Sequence, residues 1–154
     1  MLGPFERLSD LGPELCASVR ELPGAVAGHD RAGQEYCGLI YQRNFEAAFF
    51  ATFPANESPA MPLPSRKKSC YPVEVVNDPD ARSIYVYADY HSHPGITMFS
   101  EDDLKLKNQP FYFRVQFNPR CEIYLYELQT RTVFQLQGKE FVPIKKVTYD
   151  HLGF

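Results

Sequence analysis

Two histidines spaced for a single metal, a short acidic run after them and a glutamate far upstream carry the chemistry of this chain. His91-Ser92-His93-Pro94 is followed by Ser100-Glu101-Asp102-Asp103, and Glu35 opens the stretch Glu35-Tyr36-Cys37-Gly38-Leu39-Ile40-Tyr41. On an extended strand, residues two apart face the same way, so His91 and His93 can offer two imidazole nitrogens to one ion. Asp103 adds a hard oxygen. A catalytic zinc site wants three protein ligands and an open fourth position for water, and two histidines with one carboxylate meet that requirement. Glu35 is then free to act as general base: zinc brings the pKa of its water down to about 7, and a nearby carboxylate can take the proton and return it to a leaving amine. The reaction class is amide hydrolysis. As the carbonyl becomes tetrahedral its oxygen gains charge, and Ser100 is the hydroxyl donor for it.

Each residue also has an ordinary structural use. Ser100 followed by acids reads as the N-cap of a short helix running to about Asn108, with carboxylates on its positive end and Pro110 stopping it. The two uses agree, because a fixed first turn would aim both Ser100 and Asp103. A lone histidine on a strand is more often packed or solvated than a ligand, and Glu35 alone would be an ordinary carboxylate at a strand start. The combination of His-x-His-Pro, Ser-x-x-Asp and Glu-x-x-Gly-Leu-Ile is what points to a metal.

Those motifs resemble the signature of the JAMM (MPN-domain, JAB-type) metalloproteases, over about Gln34 to Asp103 and more weakly beyond. The resemblance implies an α/β fold of MPN (JAB/JAMM, cytidine-deaminase-like) type, a mixed sheet packed by helices. It implies Zn2+ held by His91, His93 and Asp103, a water activated by Glu35, and Ser100 as oxyanion donor. It also implies a protein substrate cut at a peptide or isopeptide bond, after the C-terminal tail of a ubiquitin-like protein. One departure is local: the stretch from Pro94 to Ser100 is one residue shorter than the family usually shows, so the loop carrying Ser100 must take a tighter path. The sequence around Glu35 and His91 is also similar to a bacterial JAB-like subgroup found at the ends of polymorphic toxins. An effector domain with the same chemistry is therefore an alternative reading, and a noncatalytic MPN scaffold is a third, although scaffolds usually lose motif residues that this chain keeps.

The elements that must position these residues follow from pattern. The 154 residues, 44% hydrophobic and 14% aromatic, suffice for a single domain with a real core. Leu8, Leu11, Leu15, Val19 and Leu22 recur at helical spacing and predict a helix over 8–22, with Asp10 as cap and Pro13 in its first turn. Strands are predicted over Glu35–Gln42 and Ala47–Phe53, paired as a hairpin across Arg43-Asn44, over Val73–Val76, and over Ile84–His93, which delivers the histidines at its end. Asp89 is placed to orient a ligand histidine from behind. The 54–72 segment, with five prolines, reads as a long surface loop. The last part, 111–147, is β-rich: Phe111–Phe117, Cys121–Leu128, Thr132–Leu136 and Glu140–Val147, with turns at Gln129-Thr130-Arg131 and near Gly138. The alternating Phe111, Phe113, Val115 and Phe117 read as core, and His29 and His151 as solvated.

A net charge of −3 and a pI near 5.8 give no basic surface for nucleic acid, Arg66-Lys67-Lys68 being one small cluster. Cys16, Cys37, Cys70 and Cys121 are widely spaced with no Cys-x-x-Cys, which indicates neither a structural zinc site nor a disulfide scaffold, so reduced thiols are expected. The start Met1-Leu2-Gly3-Pro4-Phe5-Glu6-Arg7 lacks the form of a signal peptide, and no stretch is long enough to span a bilayer; a cytoplasmic location without membrane partners is expected. Oligomeric state is not legible.

Overall fold

The computed structural model describes residues 1–26, 31–54, 61–62, 76–95 and 112–147. In chain order the elements are β1 (Leu2–Phe5), α1 (Leu8–Arg20), β2 (Arg31–Gly33), β3 (Cys37–Arg43), β4 (Phe49–Ala51), β5 (Met61–Pro62), β6 (Ile84–Ser92), β7 (Phe113–Phe117), β8 (Ile123–Glu127), β9 (Thr132–Gln137) and β10 (Glu140–Lys146). Eight strands form one mixed sheet in the order β1-β4-β3-β6-β7-β8-β9-β10, and β2 pairs with β5 in a separate ribbon. Within the large sheet β6 and β7 run parallel and the other neighbours antiparallel.

This architecture corrects the expected helix-packed MPN fold. Among the described residues there is one helix, of 13 residues, against a sheet of eight strands. The physical reason lies in the β-rich end: β7, β8, β9 and β10 are successive antiparallel neighbours with short links, so little sequence lies between them for helices to cover the sheet. The helix expected at Ser100–Asn108 lies outside the described residues, as do most of the 54–72 loop and all of the strand expected at Val73–Val76 except Val76, which is in no strand. Within that loop Met61–Pro62 is nevertheless a strand, β5, paired to β2.

Helical periodicity placed α1 well, and its start differs from expectation. The N-cap is Arg7, in extended conformation and with no side-chain capping bond, so Asp10 sits inside the first turn and Pro13 inside the helix. Asp10 therefore opposes the positive helix end rather than capping it. Leu8, Leu11, Leu15 and Val19 fall on one face and pack on Ile40, Ala88, Tyr90, Val115, Phe117 and Ile123 of the sheet. Burial of such side chains stabilises by about 1.5–3 kcal/mol each. Gly12 permits the close approach, since a Cβ there would stand 3.2 Å from Ile123.

The helix is also tied covalently. Cys16 forms a disulfide with Cys121, Cα–Cα 5.7 Å, and Cys37 is disulfide-bonded as well. No cysteine among the described residues is free. The expectation of reduced thiols is thus overturned; pairing across 105 residues of sequence leaves no local signature to read. Among the described residues no helix is long and apolar enough to cross a membrane.

Candidate metal centre

Strand alternation sorts the middle of the sheet into two faces. Ala88 and Tyr90 of β6, with Val115 and Phe117 of β7, join the core beneath α1. Asp89, His91, Arg114 and Gln116 occupy the intervening positions and so project from the opposite face. All four are buried. Phe113, Val115 and Phe117 accordingly behave as the core stripe that their alternation suggested, while Phe111 lies outside the described residues.

The two histidines come to the end of β6. His93 is one residue past the strand, and its N–H donates to Phe117 O at 2.8 Å, which continues the parallel ladder far enough to hold it. The imidazoles converge, with His91 Nε2 3.1 Å from His93 Nε2. Glu35 arrives from the other side, just before β3, whose Cys37 is in register with His91. Its carboxylate Oε2 lies 3.4 Å from His93 Nε2. Glu35, His91 and His93 are all buried, and their candidate ligand atoms lie within 4.8 Å of one another.

Backbone contacts around Glu35 explain why it stays there. The Ser92 hydroxyl accepts the Tyr36 N–H at 2.9 Å while the Ser92 N–H donates to Tyr36 O at 2.8 Å, clamping the glutamate segment to the histidine strand. The Tyr36 hydroxyl donates to Pro23 O at 2.6 Å, and Gln34 N–H donates to Gly24 O at 2.8 Å. Gly33, with φ +86°, lets β2 pass directly over Pro94. One side of the site is therefore fixed through Gly33 and Ser92, two residues whose types alone announce nothing.

Two separations within the donor set can be compared with the edge of a tetrahedral metal site. Zinc–nitrogen bonds of about 2.0–2.1 Å at a tetrahedral angle place ligand atoms roughly 3.3–3.4 Å apart. The observed separations of 3.1 Å and 3.4 Å are close to that edge length. The buried Glu35, His91 and His93 group could hold a metal ion. Ser100 and Asp103, expected as oxyanion donor and third ligand, lie outside the described residues, as do His29 and His151.

Asp89 departs from its expected part. Its carboxylate accepts Arg114 Nε at 3.1 Å and 3.2 Å and Arg114 Nη2 at 2.9 Å, a buried two-pronged pair that takes the place of the histidine bond. Arg114 and Gln116 were the residues sequence reasoning missed. Between core residues on a strand they look solvent-facing, and only their burial shows that they belong to a polar layer behind the site. A surface cleft of about 580 Å³ lies between the hairpin tip at Asn44–Glu46 and Ser83–Tyr85, at the other end of β6, and none of the metal-site residues lines it.

Comparison with known proteins finds no matching family model, no matching curated protein and no matching solved structure.

Proposed function

We propose that this chain is a zinc-dependent metallopeptidase using the JAMM-type residue set, cleaving an amide bond in a protein substrate. The observation that carries the reading is the convergence of Glu35, His91 and His93, three buried donors brought together where β3 begins and β6 ends. His91 and His93 would hold the ion through Nε2, and Asp103 would complete the set by its place in the sequence motif. Bound zinc supplies Lewis acidity and a water acidified to about pKa 7. Glu35 then accepts a proton as water oxygen attacks the carbonyl carbon, and returns it to the departing nitrogen as the C–N bond breaks. The Ser100 hydroxyl donates to the oxygen that gains charge.

The substrate class that goes with this residue set is the C-terminal tail of a ubiquitin-like protein or its conjugate. The β2–β5 ribbon supports an extended substrate: Gly33 of β2 packs beside Pro94, so the ribbon borders the site, and a short ribbon can accept a further strand through main-chain hydrogen bonds. A second arrangement is favoured by the 3.4 Å approach of Glu35 to His93, in which Glu35 is itself a metal ligand in a His2Glu set.

Metal content tests the reading. The purified chain should hold one zinc, and His91→Ala with His93→Ala should abolish it; full occupancy in the double variant would remove these histidines from the site. Incubation of the zinc-loaded chain with a ubiquitin-like protein extended by a short peptide tests the substrate, cleavage after the tail being the expected result.

A further inference from the structure

We infer that Asn118 is a positioning residue for His93, acting through the peptide plane that it shares with Phe117. The inference rests on Glu35, His91 and His93 forming a metal centre, and goes beyond it by assigning a part to a residue in the turn between β7 and β8. His93 lies one residue past β6, and its N–H donates to Phe117 O at 2.8 Å. That oxygen belongs to the planar peptide unit joining Phe117 to Asn118, so the tilt of this plane sets where the His93 backbone can rest. β7 ends at Phe117, paired with Ile123 of β8, and Asn118 lies just beyond the ladder. The plane is therefore fixed from the side of the turn.

Asn118 is the residue around which that turn closes. It is 2% exposed, and both ends of its amide are used. Oδ1 accepts the Arg120 N–H at 3.1 Å and the Glu122 N–H at 3.2 Å, while Nδ2 donates to Glu122 Oε1 at 3.0 Å. Its backbone carbonyl accepts the Cys121 N–H at 2.8 Å. An asparagine suits this place because its side chain can bond the backbone two residues on, and because one amide offers both an acceptor and a donor. The far end of the turn is anchored by the Cys16–Cys121 disulfide, which ties it to α1. Ser92, His93, Asn118 and Pro119 line one shallow hollow with Val19 and Arg20 of α1, so the turn, the helix end and the histidine are immediate neighbours. His93 Nε2 stands 3.1 Å from His91 Nε2 and 3.4 Å from Glu35 Oε2, the spacing on which a shared ion depends. Metal–ligand distances tolerate departures of about 0.2 Å, so a tilt of the Phe117–Asn118 peptide that carries His93 further than that weakens binding.

Variants of the full chain test this, each stripped of metal with a chelator and titrated with Zn2+ and Co2+. Asn118→Ala removes all three side-chain bonds and is expected to weaken Zn2+ binding by about 10- to 100-fold and to alter the visible Co2+ bands. Val133→Ala is the packing control: it trims the second core cluster on β9, three strands from β6, and should melt lower in the metal-free form while keeping wild-type affinity. An Asn118→Ala variant that melts lower yet binds Zn2+ no more weakly than Val133→Ala overturns the inference. If Asn118→Ala does not fold, Asn118→Asp decides, alone and combined with Glu122→Gln. The single change keeps the acceptor but sets a carboxylate against Glu122, and should bind about tenfold more weakly than wild type. The double change exchanges donor and acceptor and should return affinity and Co2+ spectrum to wild type; single and double variants of equal affinity overturn the assignment. Wild-type chain that binds neither ion overturns the metal centre itself, whereas wild-type binding with an indifferent Asn118→Ala overturns only the part given to Asn118.

Discussion

Gly33→Ala is the substitution through which the geometry of the site can be challenged most directly, because its cost follows from two features of the backbone there. The backbone at Gly33 has φ +86°, and an added Cβ would lie 3.0 Å from Gly24 O and from Pro94 Cγ, and nearer still to Pro94 Cβ. A side chain in the left-handed region costs about 1–2 kcal/mol. Overpacking adds about 1–3 kcal/mol. Since ordinary carbon contacts begin near 3.5 Å, the proline ring or β2 must retreat by roughly 1 Å. Pro94 follows His93 directly and Gly33 lies two residues before Glu35, so either retreat separates the two halves of the site.

The expected stability loss is about 2–5 kcal/mol, a fall of roughly 5–15 °C in melting temperature for a chain of this size. A displacement of about 1 Å at reacting groups can cost a hundredfold in rate, and zinc affinity should weaken in parallel. Differential scanning fluorimetry and competition with a chromophoric chelator read the two effects. Gly95→Ala is the internal control: it follows Pro94 on the other side, its added Cβ meets nothing within 4 Å among the described residues, and it should melt within about 0.5 kcal/mol of wild type. A Gly33→Ala variant with wild-type melting and zinc affinity would refute the claim that β2 holds Glu35 against the histidine turn.

Other consequences are as direct. Glu35→Gln should keep zinc and fold while losing about 100- to 10,000-fold in turnover if Glu35 only shuttles protons; loss of zinc by metal analysis would make it a ligand instead. Asp78 is buried, which pushes its carboxyl up, but the Tyr41 hydroxyl, the Asp80 amide and the Arg43 guanidinium outweigh this and hold it below its ordinary value. Protonation therefore weakens the native state: the contribution is full above the ordinary carboxylate range, near pH 4, and lost as pH falls through the lowered value. Melting curves of wild type should drop more steeply below about pH 4 than those of Asp78→Asn, and parallel curves would count against this network. Cys16→Ser with Cys121→Ser removes a cross-link spanning 105 residues and should cost about 2–5 kcal/mol in denaturant unfolding; an unchanged midpoint would mean that the bond does not constrain the unfolded chain.

What was legible in the sequence was local. Period-two alternation found β6, β8, β9 and β10 to within a few residues, and the apolar spacing of Leu8, Leu11, Leu15 and Val19 found α1. The helix cap was misplaced for a reason in the chain itself, since Arg7 makes no side-chain cap and leaves no signal. The short strands β1, β2 and β5 exist through partners remote in sequence, Ala51 for Leu2 and Pro62 for Arg31, and no window around them contains that information. The helix-packed fold was imported from a motif resemblance, and a motif specifies a site more narrowly than it specifies the layers around it.

The site itself divides along the same line. His91 and His93 could be placed together because a strand fixes which of its residues share a face, and Glu35 because it stands where the neighbouring strand begins. Alternation says nothing of whether that face is wet. A strand reading Phe113-Arg114-Val115-Gln116-Phe117 has the pattern of one apolar face and one solvated face, yet both faces are buried here, and Arg114 and Gln116 are held inside by the polar layer that includes Asp89 and His91. Burying those four groups opposes folding unless each is matched, so the layer is stable only as a set. The register of β6 on β7 is thereby fixed: a shift of one residue would either drive Arg114 and Gln116 into the apolar core beneath α1 or turn His91 away from Glu35.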